Sequence, residues 1–575
     1  MSATAMNPAS RAIALHRLAT DELDVLVVGG GVTGAGIALD AVTRGLRVGI
    51  VEAQDWASGT SSRSSKLIHG GLRYLQALDF KLVNEALHER ELLLDTLAPH
   101  LAKPVSFLYP LTKKYVERPY VAAGITLYDL MARLGAKATS PFHRHHTLKG
   151  VQRLFPDVRP DVMVGAIQYW DGRVDDARLT LTLVRTAVEY GALAANRVRV
   201  TDFVKTDGRV SGAEVTDLET GESFAIKANH VIAAAGVWTE ATQDLAEAEG
   251  GLKVLASKGI HLVVPRDRLD GDVGFILQTE KSVLFIIPWE RYWIIGTTDT
   301  PYVQDFTHPV PSAADVDYVI EHANVVLSKP LTRDDVIGTF AGLRPLLQPA
   351  TKGDGAQSTK VSREHTVTEA APGLVTIAGG KLTTYRVMAQ DAVDFALGET
   401  GAKQRPSQTK GTPLLGAAGY RALYAAADTL GAEFGWDGTR VRHLLDRYGS
   451  EFNTLVAQCR EQADLAKPLE HAPDYLRAEI GYGCTHEGAL HLEDLLVNRT
   501  RLTYEIADSG LAALPEIADL AAERLGWSDA RRQAEVDAYT ARVQAERAAA
   551  SEPDDAAAAA ARGAAPEVTD AASAG

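Results

Sequence analysis

Apolar residues follow two rhythms along this chain, and the change comes near residue 400. Before it, short apolar runs alternate with amphipathic stretches. Residues 25–28 are continuously apolar and run into glycines, 35–43 are amphipathic at helical spacing, and 46–51 form a second apolar run ending at Glu52. Apolar runs of this length bounded by glycine predict buried strands, and their order predicts a strand–helix–strand unit. The same signature returns at 228–236 and at 373–381, the second followed by a helix beginning near Leu382. Between them, 261–265, 274–278, 283–287 and 292–296 are short apolar runs rich in β-branched residues, the last two separated by a turn holding Glu290 and Arg291. They predict an antiparallel meander set into the parallel framework. After residue 415 the period is helical, as in Val441, Leu444, Leu445 and Tyr448, or Leu492, Leu495, Leu496 and Arg499.

The resulting plan has a flexible leader at 1–20 and a framework domain in three pieces, about 21–95, 180–255 and 330–400. A second domain is interleaved with it, at about 96–179 and 256–329. A polar linker at 401–414 leads to a helical domain at 415–547, and an acidic, Ala-rich tail at 548–575 reads as disordered.

Composition fits several ordinary globular cores: 575 residues, 46% hydrophobic and 23% charged. The formal net charge of −15 argues against nucleic acid as a partner. It also means that an anionic ligand needs a local cationic pocket to overcome the overall field. The two cysteines, Cys459 and Cys484, are too few for an iron–sulfur cluster or a zinc knuckle, and they read as buried thiols of a reducing compartment. No apolar run approaches the ~18 residues of a membrane span, so membrane contact would be peripheral. His143-Arg144-His145-His146 is a run of adjacent candidate ligands without a paired acid, and no metal is expected there.

The first strand–helix unit carries chemistry. It contains Gly29-x-Gly31-x-x-Gly34. In that arrangement Gly29 permits the tight turn, Gly31 lets a pyrophosphate approach the backbone, and Gly34 lets helix pack on sheet. The helix start offers N–H groups and a positive dipole end to the phosphates. Glu52 sits where a ribose 2′-hydroxyl would be held, which favours FAD or NAD over NADP. A framework interrupted by an antiparallel sheet is the plan of two-domain flavoproteins.

These segments resemble the FAD-dependent glycerol-3-phosphate dehydrogenases of the respiratory, quinone-linked kind. The resemblance is carried by Gly29-Gly-Gly-Val-Thr-Gly-Ala-Gly36 and Thr60-Ser-Ser-Arg-Ser-Ser-Lys-Leu-Ile-His-Gly-Gly-Leu-Arg-Tyr74. Further matches are Lys258-Gly-Ile-His261, Gly296-Thr-Thr-Asp299, Gly342-Leu-Arg-Pro345 and Gly379-Gly-Lys-Leu-Thr-Thr-Tyr-Arg386. It covers about residues 20–400 and extends more loosely to Val497-Asn-Arg-Thr-Arg-Leu502, where Asn498 departs from the family's arginine. The fold implied is α/β: a Rossmann-like FAD-binding domain with an inserted antiparallel-sheet substrate domain, plus a C-terminal helical domain.

The activity implied is oxidation of sn-glycerol 3-phosphate to dihydroxyacetone phosphate, by hydride transfer from C2 to N5 of noncovalently held FAD, with electrons passed to a quinone. By resemblance, Gly29, Gly31, Gly34 and Glu52 hold the adenosine diphosphate. Ser61, Ser62, Lys66, Leu67 and Gly71 line the flavin ring and phosphates. Gly380, Thr383 and Thr384 stand at a helix start beside the pyrimidine edge. Arg73, Tyr74, Arg344 and Lys381 bind the substrate phosphate. His261 and Arg344 are the candidates for the proton, and the reference pKa of histidine near 6.5 favours His261 as base with Arg344 as stabiliser. Two alternatives are an oxidase that reduces O2 to peroxide and a non-catalytic flavin-binding sensor. The resemblance also implies peripheral association with the inner face of the cell membrane and allows a homodimer. Residues 103–135 are the candidate contact, through Lys103, Lys113, Lys114, Arg118, Phe107, Tyr109, Tyr115, Tyr120 and Tyr128; the competing reading is that this stretch roofs the substrate site.

Overall fold

The computed structural model describes residues 4–72, 79–113, 117–133, 139–248, 251–280, 283–348 and 365–569. The first apolar run forms the strand Glu22–Val28, the glycine turn leads into the helix Val32–Thr43, and the chain returns as the strand Val48–Val51. Glu22–Val28 pairs in parallel with Val48–Val51 on one side and with Ser223–Ala233 on the other. Leu193–Ala195 and Leu374–Gly379 extend the parallel sheet outward. The strand order therefore reverses at Glu22–Val28, and a crevice opens beyond the C-terminal ends of the strands. The helix Val32–Thr43 is buried on most sides, packed against the helices Asp176–Glu189 and Tyr385–Gln404. Glycine makes this close packing workable: a Cβ at Gly34 would lie 1.8 Å from the Gly29 carbonyl oxygen, and one at Gly36 would lie 2.9 Å from the Tyr385 ring.

A second sheet is ordered Val254–Pro265, Tyr292–Gly296, Val283–Trp289, Gly274–Gln278, Ala102–Leu111, Gly165–Val174 and Leu67–Ile68. The expected meander is antiparallel, and its edge pairs in parallel with Ala102–Leu111. The strand Gly338–Leu347 corrects the sequence-based plan. Expected in the framework domain, it pairs antiparallel with Val254–Pro265 over residues 338–347. Its short apolar stretches are broken by Thr, Gly and Arg, unlike the continuous runs of the parallel sheet. Alternation along Val254–Pro265 sends Ile260, Leu262 and Val264 into a core shared with the helix Ala313–Asn324, and turns Val263 to the opposite core. His261 shares that second face and stacks on Phe340, with centroids 4.8 Å apart and 16° between planes.

In the helical domain, Val441, Leu444, Leu445 and Tyr448 are buried on the helix Gly438–Tyr448. Leu495 and Leu496 are buried too, but on a π-helical turn, Asp494–Arg499. There the Thr500 N–H and hydroxyl both reach the Leu495 carbonyl, five residues back. Both cysteines are buried and free, and burial pushes each thiol up to about 12.

Three further expectations change. The leader is not loose: residues 8–20 form a helix started by a reciprocal Asn7–Ser10 capping box, with Leu18 buried and Arg11 paired to Asp217 at 2.6 Å. The tail carries a helix, Asp555–Arg562, docked on the second domain. The basic–aromatic stretch points largely inward: Phe107 and Tyr128 are buried, and Lys103 pairs with Asp446 at 2.8 Å and bonds Tyr420. Lys114 and Tyr115 lie outside the described residues. No helix among the described residues is long and apolar enough to cross a membrane.

Candidate active site

Beyond the parallel strands lies a cavity of about 820 Å³, bounded by three glycine turns at Gly29–Gly31, Gly236 and Gly379–Gly380. Gly29 has φ +110° and Gly380 +83°, in the region that favours glycine. A Cβ on Gly29 would lie 2.6 Å from the Ala234 carbonyl oxygen, and one on Gly31 would lie 3.1 Å from Ser61 Oγ. The helix Val32–Thr43 and the 3₁₀ turn Leu382–Thr384 leading into Tyr385–Gln404 both begin at this cavity, and neither cap residue bonds the helix start with its side chain. Val32 N–H donates to Ser61 Oγ at 2.9 Å. The remaining helix-start N–H groups and both dipole ends suit an anion. Glu52 lines the same cavity, with one carboxylate oxygen 2.6 Å from Gly30 N and the other 2.7 Å from Gln54 N. Burial pushes its carboxyl up, against the two N–H bonds. This donor set fits FAD: glycine backbone and helix starts for the pyrophosphate and ring edge, a carboxylate for the ribose hydroxyl.

A smaller cavity of about 200 Å³ adjoins it, and Ser61, Pro345, Gly380 and Lys381 are among the residues that line both. Its walls bring together Arg63, Arg344, Lys381, Ser65, His69, His261 and Thr383. Arg344 is held in place: it donates to Thr297 Oγ1 at 3.0 Å and to the Thr298 carbonyl at 3.1 Å, and lies 3.5 Å from Asp299. Gly259 makes the room, since a Cβ there would lie 2.4 Å from Arg344 Nη2. His261 Nε2 is 2.8 Å from Ser65 Oγ, and its Nδ1 is buried without a partner among the described residues. Burial, then the charges of Arg344 and Lys66, hold the imidazole pKa well below 6.5. The arrangement places a neutral imidazole and fixed cations beside a cofactor cavity, which suits oxidation of a small anionic alcohol.

Residues 24–386 match the family model for FAD dependent oxidoreductases, and residues 407–532 match the C-terminal domain of alpha-glycerophosphate oxidase. The chain is 50% identical over 565 residues to glycerol-3-phosphate dehydrogenase 2 of Mycobacterium tuberculosis, covering 98% of this chain and 95% of that one. It is 38% identical to the mitochondrial glycerol-3-phosphate dehydrogenase of Mus musculus, over 93% of this chain and 75% of that one. The chain belongs to the FAD-dependent glycerol-3-phosphate dehydrogenase family. A solved Bacillus halodurans glycerol-3-phosphate dehydrogenase complexed with FAD is similar throughout, with TM-score 0.76 and 30% identity over 94% of this chain and 98% of that one.

Within this family frame, the residues expected from the sequence divide. Gly29, Gly31, Glu52, Ser61 and Gly380 line the large cavity, and Leu67, His261, Arg344, Lys381 and Thr383 the small one. Gly34 acts beneath the turn through packing. Lys66 lines neither cavity. Its φ of +58° accompanies a buried ammonium bonded to Asp176 and the Ser62 carbonyl, because a carboxylate buried there needs a counter-charge. Ser62, Gly71 and Thr384 also lie outside both linings: Ser62 and Thr384 are buried, the Thr384 hydroxyl 3.5 Å from the Lys381 carbonyl, and Gly71 makes a turn at φ +74°. Arg73 and Tyr74 lie outside the described residues. His143 bonds Asp129 at 2.7 Å and His146 bonds Gln168 at 3.0 Å. Sequence reasoning gave no role to Arg63, Ser65, Gly259, Thr297 or Asp299, although all stand inside the quoted motifs. It gave none to Asn498 either, which bonds Asp55 at 2.8 Å beside a bidentate Arg499–Asp55 pair at 2.6 and 2.7 Å.

Proposed function

We propose that this enzyme oxidises sn-glycerol 3-phosphate to dihydroxyacetone phosphate and passes the electrons to a quinone. The observation that carries the reading is the small cavity, where Arg63, Arg344 and Lys381 meet His261 at the edge of the cofactor cavity. Arg344 and Lys381, with Arg63 beside them, bind the phosphate dianion and orient C2; Arg73 and Tyr74 remain expectations for the same task. His261 Nε2 accepts the proton of the C2 hydroxyl, and the Ser65 hydroxyl at 2.8 Å marks an approach open to an oxygen. The C2–H bond breaks with its electron pair, and C2 becomes a carbonyl. When bound, FAD supplies the two-electron acceptor.

A quinone acceptor requires contact with lipid, and here the helix Glu117–Arg133 supports the reading. It exposes Tyr120, Leu127 and Leu130 at 68, 38 and 48%, a spacing that keeps them on one face. Phe142, 49% exposed, packs under the Arg133 guanidinium. Lys113 and Arg118 supply charge suited to anionic lipid. The test is anaerobic. Glycerol 3-phosphate should bleach the flavin, quinone-loaded anionic vesicles should restore its colour, and Leu127→Asp/Leu130→Asp should slow that restoration. No bleaching refutes the substrate, and restoration only by O2 with peroxide formed makes the enzyme an oxidase.

A further inference from the structure

The carboxyl-terminal segment was expected to be disordered, and an isolated eight-residue alanine helix would be. In the structure it is fastened at several points. Glu552 O accepts the Ala313 N–H at 2.7 Å. Asp554 caps the helix Asp555–Arg562. Asp555 bonds Lys258 Nζ, and Lys258, wholly buried three residues before His261, also bonds Asp315. Ala558 packs with Ala549 and Val310. His308 is then held from two sides, by Arg562 at 3.3 Å and by Glu567 at 3.0 Å. These fasteners bring Glu567, Val568 and Thr569, with Thr307, into the wall of the 820 Å³ cofactor cavity. Every other residue lining that wall lies between Val28 and Met388.

We propose that residues 552–569 are a cofactor-retaining strap, latched at Asp555–Lys258 and Glu567–His308, and that Glu567–Thr569 belong to the FAD site. The rest of that wall comes from the parallel strands and their glycine turns, from helices that pack on the sheet, and from the loops around Ser58 and Thr307. The strap is anchored by side chains whose outer ends meet water: Asp555 is 29% and Glu567 59% exposed. The exposed Glu567–His308 latch holds weakly, whereas Asp555 reaches the buried Lys258, so the strap opens first at its Glu567 end. Glu567–Thr569 meet the cofactor only when the strap is closed, so bound cofactor favours the closed strap.

The test uses the full chain as Asp555→Asn/Glu567→Gln, which leaves Lys258 its Asp315 partner, and a second form ending at residue 551. FAD dissociation is read as the return of free-flavin fluorescence after dilution, and amide exchange of 552–569 is compared in holo and apo protein. Dissociation should accelerate about tenfold or more in the shortened form, and several-fold in the double variant. Exchange at 555–562 should be faster in apo than in holo wild type. If the shortened form does not fold, the double variant decides. Wild-type dissociation rates in the variants, or equal exchange in apo and holo protein, overturn the proposal. None of these readouts uses glycerol 3-phosphate, so the strap and the substrate reading fail separately.

Discussion

At His261, burial and the charges of Arg344 and Lys66 all disfavour the imidazolium, so the ring is neutral throughout the ordinary working range. On the proposed reading, a phosphate dianion seated against Arg344 and Lys381 would offset part of that field and raise the basicity of the ring as substrate binds. His261→Gln should therefore slow flavin reduction by about 10² to 10⁴ with little change in KM. Arg344→Ala should chiefly raise KM, with kcat/KM falling about 10². In wild type, the acid limb of kcat/KM, corrected for ionisation of the substrate's own phosphate, should lie well below pH 6.5. A limb at 6.5 that disappears in His261→Gln would contradict the electrostatics. The meeting of His261 and Arg344 in one cavity was legible because both stand in specific motifs. Their supports were not, because the grip of Thr297 and Asp299 on Arg344 depends on cross-strand register, with Ser257 opposite Arg344. Lys66 shows the same gap: its charge is legible and its direction is not.

Among the elements, the glycine-ended strands and the meander were legible because each is a short apolar run bounded by glycine or turn residues. The helix Pro8–Thr20 was missed because scattered charge hid its apolar side, although Asn7-Pro8-Ala9-Ser10 is a helix-start signature. One contact between elements gives a pH test. His491, on the loop before the π-helical turn, is buried between Glu219 at 2.7 Å and Glu535 at 2.8 Å, with Arg531 and Arg197 nearby. Burial and Arg197 pull its pKa down, but the two carboxylates outweigh them and raise it to about 9. An unfolded histidine titrates near 6.5. The raised value means that this contribution to folding is complete below ~6.5 and is lost as pH climbs through 9. The thermal midpoint of wild type should drop over that window, and His491→Gln should flatten the drop. Equal slopes would remove His491 from the interface energetics.

At the scale of the whole molecule, the helical domain and the cofactor domain are joined by buried ion pairs. Arg499–Asp55, Arg197–Asp494, Arg178–Glu487 and Arg501–Asp175 all lie at 2.6–2.9 Å, with side chains no more than 10% exposed. Each was illegible in sequence, since partners up to 444 residues apart carry no local signal. Breaking one buried pair leaves a stranded charge, so Arg499→Met should destabilise by about 3–5 kcal/mol, read as a fall in denaturant midpoint. An unchanged midpoint would show that Asp55 relaxes into water. Asp55 also follows Glu52 by three residues, and no residue of 407–532 lines the cofactor cavity. The flavin is thus a thermometer for a domain it does not touch. Heating that loosens the helices should free the flavin and raise its fluorescence before the parallel sheet melts, so a fluorimeter alone can follow the separation of the two halves.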